Sequence, residues 1–218
     1  MERKAKPATR KKDCILYLHG LCGNETEARE FSYLEEAYDL IGIPYEDEDP
    51  WVTKDIIRAK VIEAQRGYRS TSLIATSIGA FYATRYLFDL GFEKALFLSP
   101  LLDMKSMIES LMERFGIPLS ELKEKGAILL ENGQTLSSDF LDEVSRDCPK
   151  WTAKTAIVRG ESDDVVPLST IEDFALATSS VLHVCPRAGH YLHTAEERSF
   201  IQNVAESFFS PLGQDPRL

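Results

Sequence analysis

The residue best placed for chemistry in this chain is Ser77. It lies within Ala75-Thr76-Ser77-Ile78-Gly79, between the apolar strand-like run Ser72-Leu73-Ile74-Ala75 and the apolar helix-like run that opens Ala80-Phe81-Tyr82-Ala83. A serine flanked at two residues by small side chains, on a strand-to-helix turn, has the layout of a nucleophile elbow. Such a turn is tight, so its flanks must be small and the serine takes a strained backbone conformation. The hydroxyl then projects above the sheet, and the next amide N–H points into the same space. Ala75 stands where the usual G-x-S-x-G pattern has its first glycine and still meets the steric demand. Small-x-Ser-x-Gly also recurs by chance, so the weight of the reading lies in what accompanies it.

A serine hydroxyl is a poor nucleophile until a base takes its proton, an acid fixes the base in one tautomer, and donors await the oxyanion. Arg159-Gly160-Glu161-Ser162-Asp163-Asp164-Val165-Val166-Pro167 follows an apolar strand-like run and leads into a helix at about Pro167. A loop at a strand's C-terminal end is where a sheet-based site takes its acid. Asp163 and Asp164 both qualify by type, and the spacing from Gly160 and from Val166-Pro167 favours Asp163. Of the four histidines, His183 falls inside a predicted strand and His19 suits the bracing of the first loop. His190 follows Arg187-Ala188-Gly189 just past the last strand, where Gly189 lets the chain turn over the sheet edge. It is favoured as the base over His193. The expected oxyanion donors are the amide of Ile78, at the positive end of the elbow helix, and that of Leu21 in the loop after the first strand.

These groups need a scaffold, and the chain alternates short apolar runs with helical patterns. Cys14-Ile15-Leu16-Tyr17-Leu18 and Lys94 to Ser99 read as strands buried on both faces, as do Thr155 to Arg159 and Val181 to Val184. Thr26 to Leu40 reads as a helix ended by Gly42, followed by a brief strand near Ile43-Pro44-Tyr45. Thr53 to Tyr68 is an amphipathic helix, and a final helix spans about Glu196 to Phe209. The alternation predicts a mainly parallel sheet with helices on both faces. Residues 101–150 break it, with helical patterns and no evident strand. Met104, Met107, Ile108, Leu111, Met112 and Phe115 recur there at helical spacing. Such an insertion is a candidate cap, whose methionines face either the domain's own core or a pocket. Cys22 and Met104 with Met107 are accordingly candidate substrate-contacting residues, and Cys22 has no elbow that would make it a nucleophile.

Composition narrows the classes. The chain has 218 residues, 44% hydrophobic and 28% charged, with a net charge of −10. That suits one sizeable domain over residues 13–212 and argues against nucleic acid or an anionic membrane as partner. Residues 1–12 are basic (Arg3, Lys4, Lys6, Arg10, Lys11, Lys12) and read as a short disordered tail. Cys14, Cys22, Cys148 and Cys185 form no C-x-x-C pair, and Glu46-Asp47-Glu48-Asp49 lacks the spacing of a calcium loop. No metal or organic cofactor is therefore expected. No membrane span or signal peptide is evident, so a cytoplasmic protein with reduced thiols is expected. Nothing in the sequence speaks to oligomeric state.

Taken together, Leu16-Tyr17-Leu18-His19-Gly20, the elbow, Gly160 to Pro167 and Ala188-Gly189-His190 resemble the α/β-hydrolase superfamily, in the family's order of loop, Ser, Asp and His. Among its members the chain is similar to small bacterial carboxylesterases such as those like the esterase YqiA. The resemblance implies a three-layer α/β-hydrolase fold with the triad Ser77, Asp163 and His190. The chain starts almost at the strand that carries His19-Gly20, so the sheet should be trimmed to about six strands, with a small helical cap at about 101–150. The implied activity is hydrolysis of a small-molecule carboxylic ester with a small or medium acyl group. A thioesterase, a lactonase or a C–C bond hydrolase would use the same triad, and a non-catalytic binding or regulatory protein would keep only the fold.

Overall fold

The computed structural model describes residues 12–46, 49–146 and 150–210. The basic N-terminal run up to Lys11, Asp47 and Glu48 of the acidic cluster, and Cys148 lie outside the described residues. Strand β1 (Asp13–Leu18) is followed by a 3-10 helix (Glu25–Leu34), β2 (Tyr38–Gly42), α1 (Pro50–Gln65), β3 (Thr71–Thr76), α2 (Ile78–Tyr86) and β4 (Lys94–Leu98). Then come α3 (Met104–Arg114), α4 (Leu119–Lys125), β5 (Ala127–Leu129), β6 (Thr135–Ser137) and α5 (Ser138–Val144). The chain continues through β7 (Lys154–Gly160), α6 (Leu168–Thr178), β8 (Val181–Cys185) and α7 (Ala195–Phe209).

Six strands form one sheet in the order β2-β1-β3-β4-β7-β8, every neighbouring pair parallel. Helices cover both faces, so successive strand residues enter different cores. Leu73, Phe97 and Ile157 pack with α1, α2, α6 and the β4–β7 insertion, whereas Ile74, Leu96 and Val158 pack with the 3-10 helix and α7. That two-sided burial is why these strands read as unbroken apolar runs. The helix ends follow local chemistry. Pro50 sits in the first turn of α1, and capping boxes open the 3-10 helix (Asn24 with Glu27) and α7 (Thr194 with Glu197).

Three expectations are corrected. The helix expected over Thr26 to Leu40 stops at Leu34, and the strand expected near Ile43 lies earlier, at Tyr38–Gly42. Tyr38 and Leu40 face one core and Ile41 the other, and the segment pairs with β1 from Asp13↔Tyr38 to Tyr17↔Gly42. Pairing along β1 overrides the local helical composition. The insertion holds an antiparallel hairpin, β5 with β6, besides its three helices. Three-residue strands are too short to display a two-residue period.

Strand order sets the position of the site. From β1 the chain steps outward to β2, then returns across β1 to β3 and proceeds the other way. The loops leaving β1 and β3 therefore diverge, which opens a crevice above their C-terminal ends. Among the described residues, no helix is long and apolar enough to cross a membrane.

Candidate active site

Ser77 joins β3 to α2 at φ +50°, ψ −115°, outside the regions that ordinary L-residues favour. Its neighbours hold it there. The Ser77 N–H donates to Leu98 O (2.9 Å), and its carbonyl accepts from Ala80 N and Leu101 N (3.0 Å each). The small elbow residues have steric reasons. Ala75 is fully buried between Leu18 and Phe97 in the sheet. A Cβ on Gly79 would come within 2.7 Å of Leu18 O, so α2 could not approach the end of β1 with any larger residue there.

The other two groups arrive from the far side of the sheet. His190 Nε2 is 3.0 Å from Ser77 Oγ, and His190 Nδ1 is 3.0 Å from Asp163 Oδ2. The second Asp163 oxygen accepts the N–H groups of Val165 (2.9 Å) and Val166 (3.1 Å). Burial works to raise the Asp163 pKa, but the hydrogen bonds from His190, Val166 and Val165 outweigh it and hold the carboxyl below its usual range. Asp164, the other candidate acid, is exposed. The acid and histidine loops are stitched together by Glu161 N–H to Cys185 O (2.9 Å) and Ser162 N–H to Ala188 O (2.8 Å). Gly160 permits this closeness, since a Cβ there would fall 2.1 Å from Gly189 O.

The first loop supplies the remaining wall. A turn closed by Gly23 N–H to Gly20 O (3.1 Å) places Leu21 and Cys22 at its centre, with Cys22 at φ +61°. Neither central amide is used by that bond. Ile78 opens α2, so its N–H has no partner inside the helix. Leu21 and Ile78 both line the same cleft as Ser77 and His190. His19 is buried beneath this loop. Its ring faces Gly20 O (2.8 Å) and Tyr45 O (3.1 Å) and stacks on Tyr45, whose hydroxyl donates to His19 O (2.5 Å).

The remaining candidates fall into place by position. Met104, Met107 and Cys22 line the cleft, a space of about 970 Å³. Met104 also belongs to the core on that side of the sheet, so the two readings of the α3 methionines are both realised on one helix face. His193 is exposed on the rim, and His183 is half-buried on the edge strand β8, where burial lowers its pKa. One residue escaped sequence reasoning. Arg159 is buried near the end of β7, and its guanidinium donates to the carbonyls of Gly160 (2.6 Å), Glu161 (3.2 Å), Asp163 (2.8 Å) and Val166 (3.4 Å). A lone charge closing an apolar strand run was the available signal.

No protein-family model matches the chain, and no curated protein sequence matches it significantly. Solved structures do. Est1E from Butyrivibrio proteoclasticus aligns with a TM-score of 0.69 at 17% identity, over 91% of this chain and 87% of that one. Alpha/beta hydrolase domain-containing protein 10 from mouse gives 0.67 at 15%, over 91% and 90%. An epoxide hydrolase of Bacillus megaterium gives 0.64 at 12%, over 92% and 94%. At such identities the likeness is one of architecture, and with its parallel six-stranded sheet between two helical layers the chain has the α/β-hydrolase fold.

Proposed function

We propose that this protein is a serine hydrolase that cleaves a carboxylic ester of a small or medium acyl group through an acyl-enzyme. The observation that carries the reading is the hydrogen-bonded chain from Ser77 Oγ through His190 to Asp163, with the serine on a strained turn that aims it into a cleft. Kinship with small bacterial carboxylesterases like the esterase YqiA is part of the same proposal, as is action in the cytoplasm without a cofactor.

Asp163 accepts the Nδ1–H of His190, which leaves Nε2 with a lone pair directed at Ser77. As Ser77 Oγ attacks the ester carbonyl, its proton passes to Nε2 and Asp163 stabilises the imidazolium. The carbonyl π electrons move onto oxygen, and the amides of Ile78 and Leu21 receive that oxyanion. Donors of this kind contribute about 3–4 kcal/mol each to lowering the barrier. The tetrahedral adduct then collapses, the C–O bond to the alcohol breaks, and Nε2–H protonates the departing oxygen. Water repeats the sequence on the acyl-enzyme and returns Ser77.

Ser77→Ala tests this. Hydrolysis of p-nitrophenyl acetate should fall by at least about 10⁴-fold with an unchanged circular dichroism spectrum. Retained turnover rules the mechanism out. A non-catalytic scaffold predicts instead that Ser77 of the native protein is inert to a fluorophosphonate probe.

A further inference from the structure

In the proposed reaction the amide of Leu21 must stand at a fixed place over Ser77. Its surroundings do not hold it by packing alone. Leu21 and Cys22 form the exposed centre of the Gly20-to-Gly23 turn, and Cys22 sits at φ +61°. A non-glycine residue in that region relaxes toward ordinary backbone angles unless its neighbours restrain it. The start of the turn is restrained from below and from the side. The His19 ring meets Gly20 O (2.8 Å), and Gly20 lies against the elbow, where a Cβ would come 3.4 Å from Ser77 Cβ.

The end of the turn is restrained by Glu27. Its Oε1 accepts the N–H of Asn24 (3.2 Å), and its Oε2 accepts the hydroxyl of Tyr17 (2.7 Å). That hydroxyl gives its one proton to Glu27, so its oxygen accepts from Thr76 Oγ1 (3.3 Å). A hydrogen-bonded chain thus runs from the residue that follows the turn, through one carboxylate and one phenol, to the residue that precedes Ser77. Its middle is rigid, since Tyr17 is buried in β1 beside Ile74 of β3 and its ring packs on Phe31 at 5.7 Å. Gly23 belongs to the same arrangement. A Cβ there would fall 2.8 Å from Glu27 Oε1, so glycine lets the carboxylate lie against the turn. Helix capping accounts for only half of this. The bond to Asn24 N–H is the returning arm of the capping box, whereas the arm through Tyr17 to Thr76 leaves the 3-10 helix and crosses to the elbow.

Resting on the serine-hydrolase reading, we propose that Glu27 is a positioning residue of the oxyanion hole, whose carboxylate, shared between Asn24 N–H and the Tyr17 hydroxyl, ties the loop bearing the Leu21 amide to the elbow bearing Ser77. Steady-state hydrolysis of p-nitrophenyl butyrate tests it. Glu27→Ala should lower kcat about tenfold or more and Tyr17→Phe about fivefold, each with KM within about twofold of native. Tyr17→Phe separates this role from capping, because it leaves both bonds of the capping box in place. Butylboronic acid forms a tetrahedral adduct with the nucleophile and sets an oxygen in the hole, so its Ki should rise by the same factors as kcat falls. The pH dependence of kcat/KM, set by His190, should not move. Glu27→Gln should keep at least about a third of native kcat, since its amide oxygen can take Asn24 N–H while its NH2 donates to the Tyr17 oxygen. Native kcat in Glu27→Ala or Tyr17→Phe, a fall in kcat without a matching rise in Ki, or a Gln variant no better than the Ala variant overturns the proposal. Should Glu27→Ala not fold, Tyr17→Phe decides. Fluorophosphonate labelling of the native protein keeps the two readings apart. A labelled, active protein whose variants behave like native rejects this inference alone, whereas an unlabelled, inactive one rejects the serine-hydrolase reading and this inference with it.

Discussion

The strain at Ser77, about 1–3 kcal/mol for a non-glycine residue so placed, is sustained by three backbone hydrogen bonds to Leu98, Ala80 and Leu101. The hydroxyl is thus aimed before any substrate arrives. Asp163 is equally constrained, with both carboxylate oxygens committed. Asp163→Asn should keep the fold but lower kcat by about 10⁴-fold, because the amide can donate to Nδ1 and so favours the wrong tautomer. The same carboxylate leaves a mark on stability. Its native pKa lies below the ordinary 3.8, so its ionised form stabilises the folded state fully at pH values above that ordinary value. The contribution is lost as the pH falls through the depressed native pKa. Chemical denaturation of the two proteins should therefore give a steeper loss of stability below pH 4 for the native chain than for Asp163→Asn, and parallel curves would contradict the assignment.

At the scale of elements, the acid loop after β7 is held by one buried side chain. Its carbonyls at Gly160, Glu161, Asp163 and Val166 turn inward, and Arg159 meets all four with its planar fork of donors. Gly160 O would keep the Asp163 N–H, but Arg159→Met would leave the buried carbonyls of Asp163 and Val166 without their donor, at about 1–3 kcal/mol each. Urea unfolding should show a loss of about 2–4 kcal/mol, with kcat reduced more than tenfold as Asp163 loses its aim. Arg159→Lys should recover only part of both, since one ammonium cannot span four acceptors. Full kcat in the Met variant would show that the loop holds its shape without the guanidinium.

Across the whole molecule, the site depends on the two cores meeting across one sheet. Phe97 is fully buried at the centre of β4, with its ring 5.5 Å from Trp151 and 6.2 Å from Phe174. It couples the middle of the sheet to α6 and to the chain entering β7. Phe97→Ala should cost about 3–5 kcal/mol by thermal or chemical unfolding. Catalysis per folded molecule should change far less, because the residue lies beneath the site. A cost below about 1 kcal/mol would mean that this core collapses around the cavity.

What the sequence determined by itself is the inventory. The elbow, the acid loop and Gly189-His190 each have a local signature, since tight turns restrict residue type at short spacing, and strands buried on both faces announce themselves as apolar runs. Their alternation with helices pointed to a mainly parallel sheet covered on both faces. Only the tertiary structure decided the rest. Tyr38–Gly42 became a strand because β1 offered it a parallel edge. Arg159 became a clamp because the loop ahead of it folds back, and Asp163 rather than Asp164 faced the ring because two backbone amides oriented it. Ser77 and His190 lie 113 residues apart in the chain, and their meeting depends on strand order and loop direction, which are properties of the packed sheet and of no local segment.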